Sequence, residues 1–377
     1  MPEGRFHARI SDYVKLKPSS QGAGSGHASG SGYRPAPVVV SETRYPPCSV
    51  KTMTKPLKPL NLLLLTLTLL CGCDTRAGRT APPGPEELRV GSYQELEQDF
   101  QRRNYSWRNL TDGVPRIRLR QLPTNLDRLA DVDRKKQLFF LSLLPMVLRQ
   151  NEQIEQQRQQ LLALLDGYDR FGRFDTDQQR WLDDLCRSYR CPLPFDASDA
   201  NQRARLRRRV DSIPVELVLA QAANESGYGT SRFAIEANNL FGEWTFEPGS
   251  GLIPKRRPAG ASYEVRRFDS IGASIASYLN NLNSHPAYRD LRHKRAELRA
   301  SGQPISGLVL ASGLLNYSAR REHYIREIRR MIEHNRLHLL ADLSWRRRPG
   351  PLALGPQQLF PQRLLGSRPS LTARMSY

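Results

Sequence analysis

Cysteine is scarce in this chain, five in 377 residues, and tryptophan is scarcer still at four. A small disulfide-stapled scaffold or a multi-cysteine zinc module needs a far denser supply, so both are excluded. Acidic residues are the second deficit: 37 Asp and Glu stand against 57 Lys and Arg, for a net charge of +20 and a pI near 10.2. A charge of that sign suits nucleic acid, anionic lipid headgroups or an acidic wall polymer equally well. Arg far outnumbers Lys, so codon bias can supply part of it, and no recognisable nucleic-acid module accompanies it; nucleic acid is set aside as a partner. Long apolar runs are missing with one exception, Leu62 to Leu70. With 39% hydrophobic residues and a mean hydropathy of −0.57, a polytopic membrane protein is excluded, while the length allows two or so domains with a sizeable core.

The one apolar run has a context. Met53 to Lys58 carries Lys55 and Lys58, the leucine run follows, and Cys71-Gly72-Cys73 closes it. That order is a secretory signal peptide, too short for a transmembrane helix, which needs roughly 20 apolar residues. Leu70-Cys71-Gly72-Cys73 also resembles a bacterial lipobox, which makes Cys73 the expected acylated N-terminus and the protein anchored to a membrane instead of spanning it, against a cleaved but unlipidated secreted form. Asp74 resembles the residue that retains bacterial lipoproteins in the inner membrane, so the expected location is the periplasmic face of that membrane. Residues 1–52, Gly/Ser- and Pro-rich, read as disordered or as a start codon set too far upstream; 74–86 is a Pro/Gly tether.

Helical patterning is expected from near Glu86. Leu144, Val147, Leu148, Ile154, Leu161, Leu162 and Leu165 recur at spacings of three, four and seven, an amphipathic helix with a Gln-rich wet face, and Pro145 marks a kink or a start in it. Asn151 falls on the apolar stripe and is expected to be a hydrogen-bonding residue of the structure. Cys186 and Cys191, the only cysteines past the leader, are expected to pair as a local disulfide in an exported protein. His334 and His338 have the i, i+4 spacing of metal ligands but lack a Glu between them and a third ligand, so no metal is assigned. The tail 343–377 is basic and reads as disordered.

The most informative stretch runs from Pro214 to Gly229. Pro214 suits a first helical turn; Leu217, Ala220, Gln221 and Asn224 share a face, small alanines permit close packing, and Gly227 and Gly229 end the helix. One carboxylate, Glu225, is thereby delivered to the last turn of a largely apolar helix, where partial burial favours the protonated form that a general acid needs.

The run QAANESGYGTSRFAIEANNLFGEWTF, residues 221–246, resembles the catalytic signature of glycoside hydrolase family 73, the bacterial endo-β-N-acetylglucosaminidases that cut peptidoglycan glycan strands. Agreement continues through YEVRRF at 263–268, NNLNSHPAY at 280–288 and Leu315 to Tyr324, and is strongest with the family's Bax-type branch. The resemblance covers about 205–340 and implies an α+β, lysozyme-like fold: a mostly helical body (205–342), a small β-lobe, and an N-terminal helical extension (87–204). It implies Glu225 as general acid, Glu264 as a second carboxylate, Tyr317 beside the scissile sugar, and Tyr228, Asn239, Phe241, Trp244 and Tyr324 as sugar-subsite residues. Tyr228 stands where many relatives carry Trp, and the insertion from Glu243 to Arg257 is richer in Pro and Gly than in the shortest relatives. The implied activity is hydrolysis of the GlcNAc-β-1,4-MurNAc bond, with no cofactor; a single indispensable Glu is chemically sufficient if the GlcNAc acetamido group acts as internal nucleophile. A catalytically idle peptidoglycan-binding lipoprotein and a lytic transglycosylase are the alternative readings. Oligomeric state is not legible.

Overall fold

The computed structural model describes residues 84–346 except 256 and 259. Cys73, Asp74, the leader and the tail from 347 onward lie outside the described residues.

The chain does not enter as a helix. Pro85 biases it towards extended backbone, and β1 (Glu86–Leu88) pairs in parallel with β2 (Ile117–Leu119), burying Leu88, Ile117 and Leu119. Arg103 then grips the Glu86 carboxylate through two nitrogens. Helix α1 (Tyr93–Arg102) starts at a Ser92 cap whose hydroxyl accepts from the Glu95 amide while the Glu95 carboxylate returns to the Gly91 amide.

Helix α2 (Val132–Phe171) is 40 residues long, about 60 Å at the α-helical rise. The helix continues through Pro145, so this proline is not the start of a helix. Proline orphans the carbonyl four residues back, that of Leu141, and the buried Tyr105 hydroxyl donates to that oxygen at 3.1 Å. The first half of α2 is buried on nearly every side, from Leu138 to Val147; the second buries only the stripe Ile154, Leu161 and Leu165.

That split assigns the helix to two cores. The second half, with α3 (Thr176–Ser188) and α4 (Ala200–Arg209), encloses a small cluster of Leu161, Leu165, Leu182, Cys186, Tyr189 and Leu206. The first half belongs to the main core, which continues without a break into α5 (Val215–Ser226). Asn151 fastens the connection: its amide donates to Ile213 O at 2.7 Å and its oxygen accepts from Ile213 N at 3.1 Å.

Helix α5 is buried on every side from Val215 to Asn224, the signature of a central helix. It ends at left-handed Gly227, and Gly229 (φ +77°) comes so close to the extension that a Cβ there would lie 2.5 Å from Leu122 Cδ1. After α6 (Arg232–Ala237) come β3 (Trp244–Thr245), β4 (Gly251–Leu252) and β5 (Glu264–Arg266), a sheet in the order β3-β5-β4 with antiparallel neighbours. Four helices complete the body: α7 (Ile271–Ser284), α8 (Arg289–Ala300), the short α9 (Gly307–Leu310) and α10 (Glu322–His334). This is the α+β, lysozyme-like arrangement, a helical body with one small β-lobe.

Buried charge ties extension and body together. Arg295 of α8 is fully buried and donates to the carbonyls of Arg208, Asp211 and Ser212 and to Asn283 Oδ1. The buried Asp211 carboxylate balances it, with Arg299 and Arg158 also in reach. At the far end, Trp345 bridges to Val114, so residues 344–346 are strapped to the extension although a disordered tail was expected from 343.

Candidate active site

The site is built on the last turn of α5. Glu225 is half-buried there, its Oε1 accepting from Asn224 Nδ2 at 3.1 Å. Four residues earlier, one turn down the same face, Gln221 is completely buried. The Gln221 amide donates to the Tyr324 hydroxyl at 2.9 Å, and the Tyr324 phenol lies within the field of the Glu225 carboxylate, which helps to raise it. The Tyr278 hydroxyl donates to the Gln221 oxygen. The Gln221 amide thus joins the two phenols, accepting from Tyr278 and donating to Tyr324. Burial pushes the Tyr278 and Tyr324 phenols well above their ordinary range, which keeps both as proton-bearing donors.

Aromatic rings wall this group. Tyr317 stacks on Tyr324 with centroids 5.2 Å apart, and its hydroxyl donates to Phe241 O at 3.4 Å. Phe241 lies flat on Tyr278 at 3.8 Å. The loop after α6 and helices α7 and α10 therefore converge on one glutamate. Phe241, Tyr278, Tyr317 and Tyr324 are all buried, so Glu225 is the polar group of this cluster that meets solvent.

The other expected site residues are placed differently. Asn239 is buried and acts as a backbone clamp: Nδ2 donates to the carbonyls of Glu243 and Arg266, and Oδ1 accepts from Glu243 N. Trp244 on β3 stacks on Tyr263 at 4.4 Å, making a half-exposed aromatic surface on the lobe. Tyr228 turns away from the lobe and packs edge-on against Phe139 and Phe140 of α2. Glu264 is buried inside the lobe, with Oε1 accepting from Gly249 N at 3.1 Å and Oε2 from Gly251 N at 2.8 Å. Its carboxylate thus closes the β3–β4 turn, and β4 lies so near β5 that a Cβ on Gly251 would sit 2.3 Å from Val265 O.

Cys186 and Cys191 are free thiols on neighbouring turns, the Cys191 amide donating to Cys186 O at 2.8 Å. Arg209 lies 3.9 Å from Cys191 Sγ. The hydrogen bond from Cys186 and the Arg209 charge bring the Cys191 thiol down to about 7, and the same pairing pushes Cys186 up. His334 ends α10 and His338 lies beyond it, both exposed, and among the described residues no group of three His, Cys, Asp or Glu is placed to hold a metal. Gln221 and Tyr278 were not singled out as site residues; the only signal for Gln221 was its place one helical turn before Glu225.

The site is thus a half-buried glutamate ending a central helix among buried tyrosines, in a lysozyme-like helical body with one small β-lobe. Residues 201–337 match the family Glucosaminidase, described as mannosyl-glycoprotein endo-beta-N-acetylglucosaminidase. Over 285 residues the chain is 27% identical to the protein Bax of Escherichia coli (strain K12), an alignment spanning 75% of this chain and 96% of that one. No solved structure matches.

Proposed function

We propose that the protein is a peptidoglycan hydrolase, an endo-β-N-acetylglucosaminidase that cleaves GlcNAc-β-1,4-MurNAc bonds with Glu225 as general acid. The observation that carries this is the setting of Glu225: Asn224 donates to its carboxyl at the open end of a buried helix, and Tyr278 and Gln221 fix the Tyr324 phenol whose charge environment Glu225 shares. Glu225 gives its proton to the bridging oxygen as the C1–O bond breaks, and MurNAc leaves as an alcohol. The acetamido oxygen of GlcNAc closes on C1 from the other face; water then opens that ring, returning a proton to Glu225. The Glu264 oxygens already accept two backbone amides, which supports a role in shaping the lobe over one as a nucleophile. The half-exposed Trp244, backed by the buried Tyr263 ring, offers a flat apolar surface for a pyranose ring.

Digestion of purified peptidoglycan and mass analysis of the new chain ends tests this. GlcNAc at the reducing end is expected; MurNAc indicates a muramidase, anhydroMurNAc a lytic transglycosylase, and no release a binding protein. We further propose that Cys73 is acylated and Asp74 keeps the protein at the inner membrane. Labelling with an alkynyl fatty acid should mark the protein and fail in Cys73→Ala, and recovery in outer-membrane fractions would contradict the location. In that oxidising compartment Cys186 and Cys191 are proposed to pair, contributing on the order of 2 kcal/mol, which peptide mapping without reductant checks.

A further inference from the structure

Glu243 is the acidic group that the mechanism above does not use. It follows Phe241 and Gly242 out of the aromatic wall and immediately precedes Trp244, at the joint between helical body and β-lobe. Its backbone is fixed on both sides, N–H to Asn239 Oδ1 and carbonyl accepting from Asn239 Nδ2 and Arg266 N. Its side chain is 19% exposed and turns inward under the lobe. There Oε2 accepts from the Ser277 hydroxyl of α7 at 2.7 Å, whereas Oε1 is buried with no hydrogen-bond partner among the described residues.

Three parts of the molecule face this carboxyl. From the body, α7 offers Ser277, which is not titratable; from the lobe, β5 offers Arg266, at 4.0 Å and itself reaching Ser277 Oγ at 3.4 Å; from the extension, the turn after α3 offers the charge of Arg190. That turn is pinned to α7 one helical turn beyond Ser277, where Asn280 Nδ2 donates to Ser188 O at 3.0 Å. Burial outweighs both arginines and the serine and raises the carboxyl to about 7. The neutral acid fits this site; the anion leaves a charged oxygen buried without a partner, a state that costs free energy unless the site opens to water.

We propose that Glu243 is a proton-operated latch between the β-lobe and the helical body, a positioning residue that seats β3 and β5, with Trp244 and the Glu264 turn, against α7. In the closed lobe the carboxyl holds its proton; in the opened lobe, wetted, it titrates as an ordinary glutamate. The closed state therefore binds the proton more tightly, and the closed-to-open ratio falls as pH rises from the ordinary carboxylate range to about 7, by at most tenfold per pH unit, and levels off above it. The kinetic consequence rests on the glucosaminidase reading; the conformational one does not.

Hydrogen exchange of the full chain between about pH 5 and pH 8, corrected for intrinsic rates, reads the latch directly. The Arg266 amide, bonded to Glu243 O, and its β5 neighbours should lose protection across that window while the α5 amides hold theirs, and in Glu243→Gln the β5 loss should disappear. Equal pH dependence in wild type and Glu243→Gln overturns the latch. Should the variant fold poorly, the wild-type pattern decides alone, because loss shared uniformly by α5 and β5 overturns it too. In the kinetic arm, the ratio of kcat/KM at pH 8 to that at pH 6 should rise in Glu243→Gln relative to wild type, and an unchanged ratio counts against positioning. A wild-type protein that releases no muropeptide refutes the glucosaminidase reading and leaves the exchange result standing.

Discussion

The helical floor beneath Glu225 and the β-lobe around Glu264 each present one glutamate from the same signature region, and the two carboxylates are held by opposite means. Glu225 is held by a side chain, that of Asn224, and neighbours the Tyr324 phenol that Gln221 fixes. Glu264 is held by main-chain amides of its own lobe, Gly249 and Gly251. Side-chain partners can leave one edge of a carboxyl to a ligand; two backbone amides on the two oxygens turn a carboxylate into a structural staple. The difference teaches that the residue type does not assign the role, and that the partner's nature does.

Replacing each glutamate separates these roles. Glu225→Gln keeps shape and loses the transferable proton, so turnover should fall at least ~10²-fold, the weight of positioned acid catalysis, while sugar binding persists. Muropeptide release near the wild-type rate would overturn the assignment. Glu264→Ala should instead act on the lobe: two part-buried amides lose a charged acceptor, at about 1–3 kcal/mol. Limited proteolysis should cut first between 245 and 263, and azide should not restore activity. Azide rescue would make Glu264 a nucleophile and erase the contrast.

The helical side of this contrast was legible in the sequence far more than the lobe. Pro214, the run of small and apolar residues, Gly227 and Gly229 place Glu225 without any tertiary knowledge, because each acts locally. Asn151 was legible for the same reason, a polar residue on an apolar stripe that must find a partner. Tyr278 and Tyr324 reach Gln221 across 57 and 103 positions, distances at which no periodicity speaks. Strands as short as two residues carry no usable alternation, so the closure of the lobe by Glu264 and the inward turn of Glu243 appear only in three dimensions. Pro145 shows the converse: the local rule breaks the helix there, and a distant hydroxyl, that of Tyr105, overrides it.

Tyr324→Phe sharpens the floor side. It removes the phenol hydroxyl coupled electrostatically to Glu225 and leaves the buried Gln221 amide without its acceptor, a loss on the order of 1 kcal/mol in stability. A drop in kcat of up to about tenfold should accompany it, since the acid loses a polar neighbour. Unchanged kcat with only a lowered melting temperature would reduce Tyr324 to scaffolding.

The smallest expected effect concerns Glu216, a carboxyl buried in the first turn of α5. Oε1 accepts from Gly307 N at 2.7 Å and Oε2 has no partner among the described residues. Burial raises this carboxyl above its ordinary value, against the opposing pull of the Gly307 amide. The folded state then binds the proton more tightly than the unfolded chain, so its contribution is complete below the ordinary carboxylate range and is lost as pH climbs through the raised folded value. Glu243 contributes a slope of the same sign, and the two carboxyls share no partner, so the measurement belongs in the Glu243→Gln background, where the contributions separate. Chemical unfolding of Glu243→Gln at a series of pH values from about 4 to 8 should show a remaining decline, and adding Glu216→Gln should flatten it. A decline that persists in the double variant would place the proton elsewhere in the helical body, and the floor beneath Glu225 would then contain a titrating group other than these two.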